Sequence, residues 1–214
     1  SRSLRLNTEV ATMDQYKRNA DDVLSWLSTT EMAAKNINEV LKRAKELTVQ
    51  AASETNSINE RLSIAEEIKE LRNQLIHIGN TTYAGSYLFS GFKTDKPLLT
   101  EDGRYDLGGG TNKLTLDEVI EINIGVGDRI GENIIGQRLF GLYSAAADLD
   151  KTTADSLKPV SDVDSGNQSQ LIAIFDQLID DLEADNTAGI GSALTRIDNQ
   201  FYNVNAIIAE IGVK

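Results

Sequence analysis

Cysteine is absent from the chain of 214 residues, and proline occurs only twice. Without cysteine there can be no disulfide, no thiolate metal ligand and no cysteine nucleophile. His77 is the single histidine, so a typical zinc site cannot be built from imidazole and thiolate ligands. We therefore expect no metal site and no other cofactor, while the lack of cysteine leaves the cellular compartment open.

Basic residues are also scarce, because 21 lysines and arginines stand against 33 acidic residues and give a formal net charge of -12. Such a chain repels nucleic-acid phosphates and anionic membrane surfaces. No apolar stretch is long enough to cross a bilayer, and the first residues do not have the pattern of a secretory signal peptide. These features predict no nucleic-acid partner and no membrane partner.

What the sequence does contain is a long heptad pattern that starts at Tyr16. Apolar or small residues follow each other at alternating steps of four and three, which is typical of a helix that packs lengthwise against other helices. The pattern comprises Tyr16, Ala20, Val23, Leu27, Thr30, Ala34, Ile37, Leu41, Ala44, Thr48 and Ala51. Leu24, Val40 and Leu47 widen the apolar stripe, so a bundle of three or more helices is predicted. Trp26, the single tryptophan, lies off this pattern and is interpreted as a packed residue.

A second helix is predicted to begin after Ser57. Ser57 and Glu60 have the spacing of a capping box, in which each side chain accepts a hydrogen bond from the backbone N–H of the other residue. The seam of this helix comprises Ile64, Ile68, Leu71, Leu75 and Ile78. A polar break separates the two helices, so they are expected to form a long antiparallel hairpin.

The helical pattern stops at Gly79, a residue suited to the left-handed turn that ends many helices. An aromatic, strand-like segment follows, with glycines where the chain must turn or approach another backbone closely. This corner motif consists of Asn80, Thr81, Thr82, Tyr83, Ala84, Gly85, Ser86, Tyr87, Leu88, Phe89, Ser90 and Gly91. Helix signals dominate before it and strand and turn signals after it, so it is predicted to join two kinds of architecture.

The middle of the chain, from Pro97 to Asp164, carries mainly strand and turn signals. Asp102-Gly103 is a dipeptide favoured in tight hairpins. The alternation of residues 119–126 predicts a strand. Its buried face would comprise Ile120, Ile122, Ile124 and Val126. A short helix or mixed segment is expected between Ile134 and Leu149, and the polar stretch from Ser161 to Asn167 is interpreted as a linker.

Heptad spacing returns near the end of the chain, in two segments separated at Asp185-Asn186-Thr187. The residues expected to carry helix-to-helix packing in the whole chain are Leu27, Ile37, Leu41, Ile68, Leu71, Leu75, Leu194, Ile197, Phe201, Val204 and Ile208. The chain is therefore predicted to be an α+β protein. Residues 1–96 and 166–214 would form a discontinuous, rod-like antiparallel helical bundle, and residues 97–165 a small β-rich outer domain inserted into it.

No arrangement of residues for catalysis emerges from the sequence. The glycines of residues 125–131 miss the dinucleotide-binding spacing by one residue, and adjacent carboxylates on helices diverge rather than converge on a substrate. Because no nucleophile is paired with a base, no catalytic residue is predicted and the pattern favours a structural or interaction protein. The alternative from another class is a small glycan hydrolase that uses Asp102, Asp106 and Asp117, although their separation is not defined.

Three stretches resemble the flagellin family: Met13 to Ala20, Leu47 to Ser53 and, above all, the corner motif. Filament subunits of that family typically have Phe-Asn-Gly where this chain has Tyr-Ala-Gly. The chain is more similar to the family's subunits at the junction of hook and filament, and residues 134–141, which end in Leu-Phe-Gly, are similar to the return from their outer domain. The match covers both helical ends well and the middle poorly.

The resemblance implies a flagellin-like trunk and a secreted, structural part of the bacterial flagellum that serves motility. Such a subunit would be exported by the flagellar type III route with an export chaperone. It would form a ring with its own copies, between the hook-side junction protein (hook-associated protein 1) and filament flagellin. A filament flagellin subunit is the alternative within the family. Because the chain starts at Ser1 and stops at Lys214 inside an apolar pattern, we expect an internal fragment that is largely monomeric by itself.

Overall fold

The computed structural model describes residues 2–53, 55–150 and 162–213. Its helices are α1 (Arg2–Ala51), α2 (Ile58–Gly79), a short α3 (Gln137–Phe140), α4 (Gln170–Glu183) and α5 (Thr187–Gly212). Its strands are β1 (Thr82–Tyr83), β2 (Ser86–Tyr87), β3 (Lys113–Leu114), β4 (Glu121–Asn123), β5 (Arg129–Gly131) and β6 (Val163–Asp164). A 3-10 helix spans Ala146–Asp150. Long packed helices with small antiparallel sheets confirm the predicted fold class.

The four long helices form an antiparallel trunk. Near one end of the trunk Arg61 of α2 donates to the carbonyl of Ala51 at the end of α1, and farther along Arg43 of α1 pairs with Glu67 of α2 at 2.7 Å. Residue numbers therefore run in opposite directions along the two helices. The same reversed order relates α1 to α5 and α2 to α4. The capping box of Ser57 and Glu60 at the start of α2 is confirmed.

The heptad pattern of α1 lies in the interior of the trunk. From Val23 to Ala51 each of its members is at most 5% exposed. Val40 and Leu47 are buried beside the seam, but the prediction for Leu24 is wrong, because this side chain is 62% exposed. Leu24 follows Val23 directly and so points about 100° away from it around the helix. The helix also extends to Arg2, well before the pattern starts at Tyr16, and residues 3–15 are exposed.

In the described residues the strands form three separate sheets of two antiparallel strands each, β1–β2 in the corner motif and β3–β6 and β4–β5 in the outer region. The strand predicted over residues 119–126 is shorter than expected and spans Glu121–Asn123, because the chain turns back where the N–H of Ile124 donates to the carbonyl of Asp128. Val126 lies at that turn and is 91% exposed rather than buried.

The predicted linker is also wrong for the part that is described. Val163 and Asp164 form β6 and pair with β3, with Val163 opposite Leu114 and both side chains fully buried. The turn at Asp102-Gly103 is confirmed, since Gly103 donates to the carbonyl of Thr100. Residues 151–161 lie outside the described part of the chain.

A continuous hydrophobic core joins the trunk to the outer region. It runs from the seams of the helices through Leu99, Leu114 and Phe140. Tyr105 is fully buried in this region; its hydroxyl donates to the carbonyl of Gly141 at 2.6 Å, and burial raises the pKa of the phenol. In the part of the chain that the structure describes, none of the helices combines the length and apolar character needed to span a bilayer.

Candidate functional site

The corner motif begins with Asn80, which caps α2 and holds a later part of the chain. Its backbone N–H makes the last hydrogen bond of the helix, to the carbonyl of Ile76, so Asn80 is the cap that follows Gly79. Both polar atoms of its side chain bond the backbone of Leu99: Nδ2 donates to the carbonyl at 2.8 Å, and Oδ1 accepts from the N–H at 2.9 Å. An amide can donate and accept at once, so a single asparagine fixes the outer chain directly beside the end of the helix.

Gly79 has a different role from the one predicted. It does not adopt the left-handed conformation and is the last residue of α2. A Cβ at this position would lie 2.9 Å from Cζ of Phe140 and 3.1 Å from Cδ1 of Leu99. Glycine is needed here because two core side chains pack directly against the helix backbone.

The aromatic run folds into a tight hairpin in which Thr82 pairs with Tyr87 and Tyr83 with Ser86. The two central residues, Ala84 and Gly85, have φ angles of 49° and 84°. Positive φ at both positions is the geometry of the type I′ turn, whose twist matches that of the flanking strands. A Cβ on Gly85 would meet no atom within 4 Å, so this position is restricted by its backbone conformation alone.

The hairpin contacts the trunk through an aromatic pair. The rings of Tyr83 and Trp26 of α1 meet edge to face, with centroids 5.9 Å apart and an interplanar angle of 77°. Offset and edge-to-face contacts are the favourable arrangements for aromatic rings. The carbonyl of Phe89 accepts a hydrogen bond from the N–H of Gly136, in the chain that returns to the trunk. The corner therefore contacts both the first helix and the returning chain.

Glu118 is a buried acidic residue that packs against the end of the corner motif. Its buried carboxylate accepts hydrogen bonds from the backbone N–H of Phe92 at 2.9 Å and of Thr115 at 3.1 Å, and from Nζ of Lys93 at 2.9 Å. Gly91, with φ of 61°, lies against this carboxylate, because a Cβ there would be 2.5 Å from Oε2 of Glu118. Only glycine satisfies both the positive φ and the close approach.

The predicted packing residues occupy the interfaces between the long helices. Those on α1 and half of those on α2 and α5 are buried, namely Leu27, Ile37, Leu41, Ile68, Leu75, Ile197 and Val204. Those at the margins of the interfaces are half-buried, namely Leu71, Leu194, Phe201 and Ile208. Their contribution to assembly with other subunits stays a prediction.

One of the carboxylates considered for hydrolysis, Asp117, does not have the property that a general acid needs. A hydrogen bond from Thr115 lowers the pKa of Asp117, the opposite of the shift that a general acid needs. Asp106 uses its backbone groups to bond Leu98 and Ser165. Within the described ranges no group of three or more His, Cys, Asp or Glu residues could hold a metal ion.

A cleft of about 690 Å³ lies beside α4 and is lined by Asp102, Arg104, Tyr143 and Asp176 among others. Burial raises the pKa of the Asp176 carboxyl, and the paired Arg72 offsets this rise only in part. Of the three carboxylates considered for hydrolysis, the lining of this cleft includes Asp102 but neither Asp106 nor Asp117. The cleft therefore does not bring the three carboxylates together.

Sequence reasoning missed several buried polar residues, chiefly Glu118, Arg61 and Gln137. Thr115 and Glu118 have the spacing of a capping box, which could have indicated the N–H that Glu118 accepts. Arg61 and Gln137 carry no comparable local signal, because their partners or neighbours come from distant parts of the chain.

The comparisons with known proteins agree with the fold. Residues 1–94 match the family model of the bacterial flagellin N-terminal helical region. The chain is 28% identical over 227 aligned positions to flagellar hook-associated protein 3 of Escherichia coli, and the match covers 100% of this chain and 65% of that protein. It is 36% identical to flagellin 1 of Proteus mirabilis over 57% of this chain and 33% of that protein. The chain thus spans less than two thirds of the length of these curated relatives.

Solved structures with similar folds carry related names. A putative flagellar hook-associated protein from Vibrio parahaemolyticus has a TM-score of 0.74 at 23% identity, covering 98% of this chain and 83% of that one. The flagellar junction protein FlgL from Legionella pneumophila has a TM-score of 0.71 at 16% identity, covering 100% of this chain and 97% of that one. At these identities the structures support the fold. The named relatives are flagellar structural proteins, not enzymes, and the resemblance predicted from the sequence is confirmed.

Proposed function

We propose that this chain forms part of a structural subunit at the hook–filament junction of the bacterial flagellum. The whole of this chain resembles hook-associated protein 3, a relative of the flagellins. The observation that carries the proposal is the extent of the similarity. The match to hook-associated protein 3 covers 100% of this chain, whereas the match to the flagellin of Salmonella derby covers 86% and that to the Proteus flagellin 57%.

The proposed role is mechanical. The seams of α1, α2 and α5 would give a stiff trunk that packs lengthwise with neighbouring subunits, as heptad seams do in other long bundles. The corner motif would set how the outer region, residues 97–165, leaves the trunk formed by residues 1–96 and 166–214. Two hydrogen bonds support this role: Asn80 holds Leu99 of the outer chain at the end of α2, and Glu118 of the outer chain accepts from Phe92, directly after the corner motif.

The proposed partners follow from the position of the subunit. It would join hook-associated protein 1 on the hook side to filament flagellin on the other, in a ring of its own copies. We further propose that it reaches the extracellular flagellum through the flagellar type III route with an export chaperone. The chain by itself is proposed to be largely monomeric; a stable closed ring at micromolar concentration in analytical ultracentrifugation would argue against this.

The second candidate is a filament flagellin subunit. It is favoured by the higher local identity to the Proteus flagellin and by the family model that covers residues 1–94. The two candidates share the trunk and differ in the neighbours that they contact.

The deciding experiment is complementation with the complete protein that contains this chain. It would be expressed in flagellated cells that lack their own junction protein, beside an empty vector and the resident gene as controls. Filaments restored on existing hooks would support the junction role. Flagellin shed into the medium, despite export of the protein, would refute that role in these cells.

The same protein expressed in cells that lack flagellin but keep their junction proteins tests the alternative. Filaments made of the protein itself would establish the filament role. Electron microscopy of the cells and immunoblotting of the medium give both readouts.

A further inference from the structure

The short helix α3 is held between two trunk helices by polar contacts that are themselves buried. Asn203 of α5 donates through Nδ2 to the carbonyl of Arg138 at 2.8 Å, and the hydroxyl of Ser169, which caps α4, donates to the carbonyl of Phe140 at 2.9 Å. Arg138 also pairs with Glu210 of α5. Side-chain donors from α5 and from the start of α4 therefore bond backbone carbonyls of α3.

Gln137, the first residue of this helix, stands out within that layer. It is 1% exposed, and neither Nε2 nor Oε1 of its amide has a hydrogen-bond partner among the described residues. Oδ1 of the buried Asn203 is likewise without a partner in that part of the structure. Asn203 bonds the carbonyl of Arg138, the residue that directly follows Gln137, so both amides lie where α3 meets α5.

A buried amide without partners is costly. Removing a polar group from water without replacing its hydrogen bonds costs about 1–3 kcal/mol by mutational measures. Native proteins resolve this with an internal partner or with an ordered water, which needs two to four polar neighbours. The amide of Gln137 offers a donor and an acceptor, and Oδ1 of Asn203 offers a second acceptor.

We propose that the interior around Gln137 is a hydration site, in which one or more ordered water molecules bridge the Gln137 amide to Oδ1 of Asn203. The water completes the polar layer that fixes α3 between α4 and α5. Apolar packing tolerates sliding along a helix, whereas a hydrogen-bonded layer has one register, as a buried asparagine has in a coiled coil. This inference goes beyond the proposed function and does not depend on it.

The first test is the sign of a stability change on replacing Gln137 by methionine, which has a similar volume and no amide. If water satisfies the amide, Gln137→Met removes hydrogen bonds and leaves the water and Asn203 with fewer partners, so the urea midpoint moves to lower urea. If the amide is dry and unpartnered, the same change removes the penalty, and the midpoint moves to higher urea. The matched control is Leu139→Met, a change at a fully buried apolar position of the same helix.

The second test is direct and uses the unmodified chain. A crystal structure at about 1.5 Å should show water within hydrogen-bond distance of Gln137 Nε2 or Oε1, and the side-chain amide protons should show exchange cross-peaks with water in NMR. A dry interior, or a Gln137 amide bonded to protein atoms alone, overturns the proposal whatever the variant does. A higher urea midpoint for Gln137→Met than for the unmodified chain also overturns it.

Discussion

The substitution Gly79→Ala has two opposing effects on the free energy of unfolding, and the size of each can be estimated. In an open helical position alanine is more stable than glycine by about 0.5–1 kcal/mol, because the unfolded glycine has more conformational freedom. At Gly79, however, the new Cβ would lie 2.9 Å from Cζ of Phe140 and 3.1 Å from Cδ1 of Leu99. Both side chains are buried, so they cannot move into solvent.

Overpacking of a full core costs about 1–3 kcal/mol, which exceeds the gain in helix propensity. We therefore expect Gly79→Ala to lower the free energy of unfolding by about 1–2 kcal/mol. For a chain of this size that corresponds to a fall in Tm of roughly 2–8 °C. The assay is urea denaturation followed by the fluorescence of Trp26, the single tryptophan, which is buried in the folded chain.

The matched control is Gly191→Ala in α5, where a Cβ meets no atom within 4 Å. There the propensity term acts alone, and a gain of about 0.5–1 kcal/mol is expected. The double variant Gly79→Ala with Phe140→Leu removes the opposing ring, so a double-mutant cycle should return a favourable coupling energy. A Gly79→Ala variant as stable as Gly191→Ala would refute the packing argument.

Three further changes test other features. Arg61 donates to two carbonyls at the end of α1 and pairs with Asp185 while its side chain is 6% exposed, so Arg61→Met should cost about 2–4 kcal/mol in urea denaturation. Gly91→Ala should lower the thermal midpoint far more than Gly109→Ala, because both have positive φ but only Gly91 lies against the buried carboxylate. Glu132→Gln should stabilise the chain at pH 7, since burial and then repulsion by a neighbouring aspartate raise the pKa of Glu132.

The sign of the last effect follows from proton linkage. A carboxyl whose pKa is raised by folding binds its proton more tightly in the folded chain, so its contribution to stability is present below the unfolded pKa and is lost as pH rises through the folded pKa. The stability advantage of Glu132→Gln should therefore shrink on acidification, and a difference that stays constant with pH contradicts the reasoning.

For Arg61→Met, the control is Arg43→Met, because the ion pair of Arg43 with Glu67 is exposed and is worth less than about 1 kcal/mol. Equal losses at the two arginines would contradict the proposed importance of burial.

The helical trunk could be predicted because its signal is repeated and local. A heptad seam has an apolar or small residue at every third or fourth position, so one atypical member such as Thr30 does not obscure the pattern. Asp185, with a φ of 54°, separates α4 from α5 where the sequence predicted a break. The exception at Leu24 shows the limit of the method, since periodicity indicates an apolar stripe but not how wide the neighbouring helices make it.

The outer region could not be predicted because its order depends on pairs that are distant in sequence. Leu114 and Val163 are neighbours in a sheet only because the chain between them folds back, and each strand is two residues long. A lone valine in a polar stretch gives no signal of burial by itself, so the region was interpreted as a linker. Glu118 was missed for a related reason: the groups that satisfy it include Phe92 and Lys93, which lie far before it in the chain.

We expect the corner to resist rotation, because its contacts come from several separate segments. The chain leaves the trunk after Gly79 and approaches it again at Gly136, where a Cβ would lie 2.6 Å from Cδ2 of Leu98 and 2.8 Å from the carbonyl oxygen of Phe89. A single crossing would act as a hinge, since one segment can turn about its own bonds. Here the outgoing and returning segments bond each other, and Asn80 bonds a third part of the chain. Turning the outer region relative to the trunk would break these hydrogen bonds together, so bending forces on one part would pass to the other rather than being absorbed at the corner.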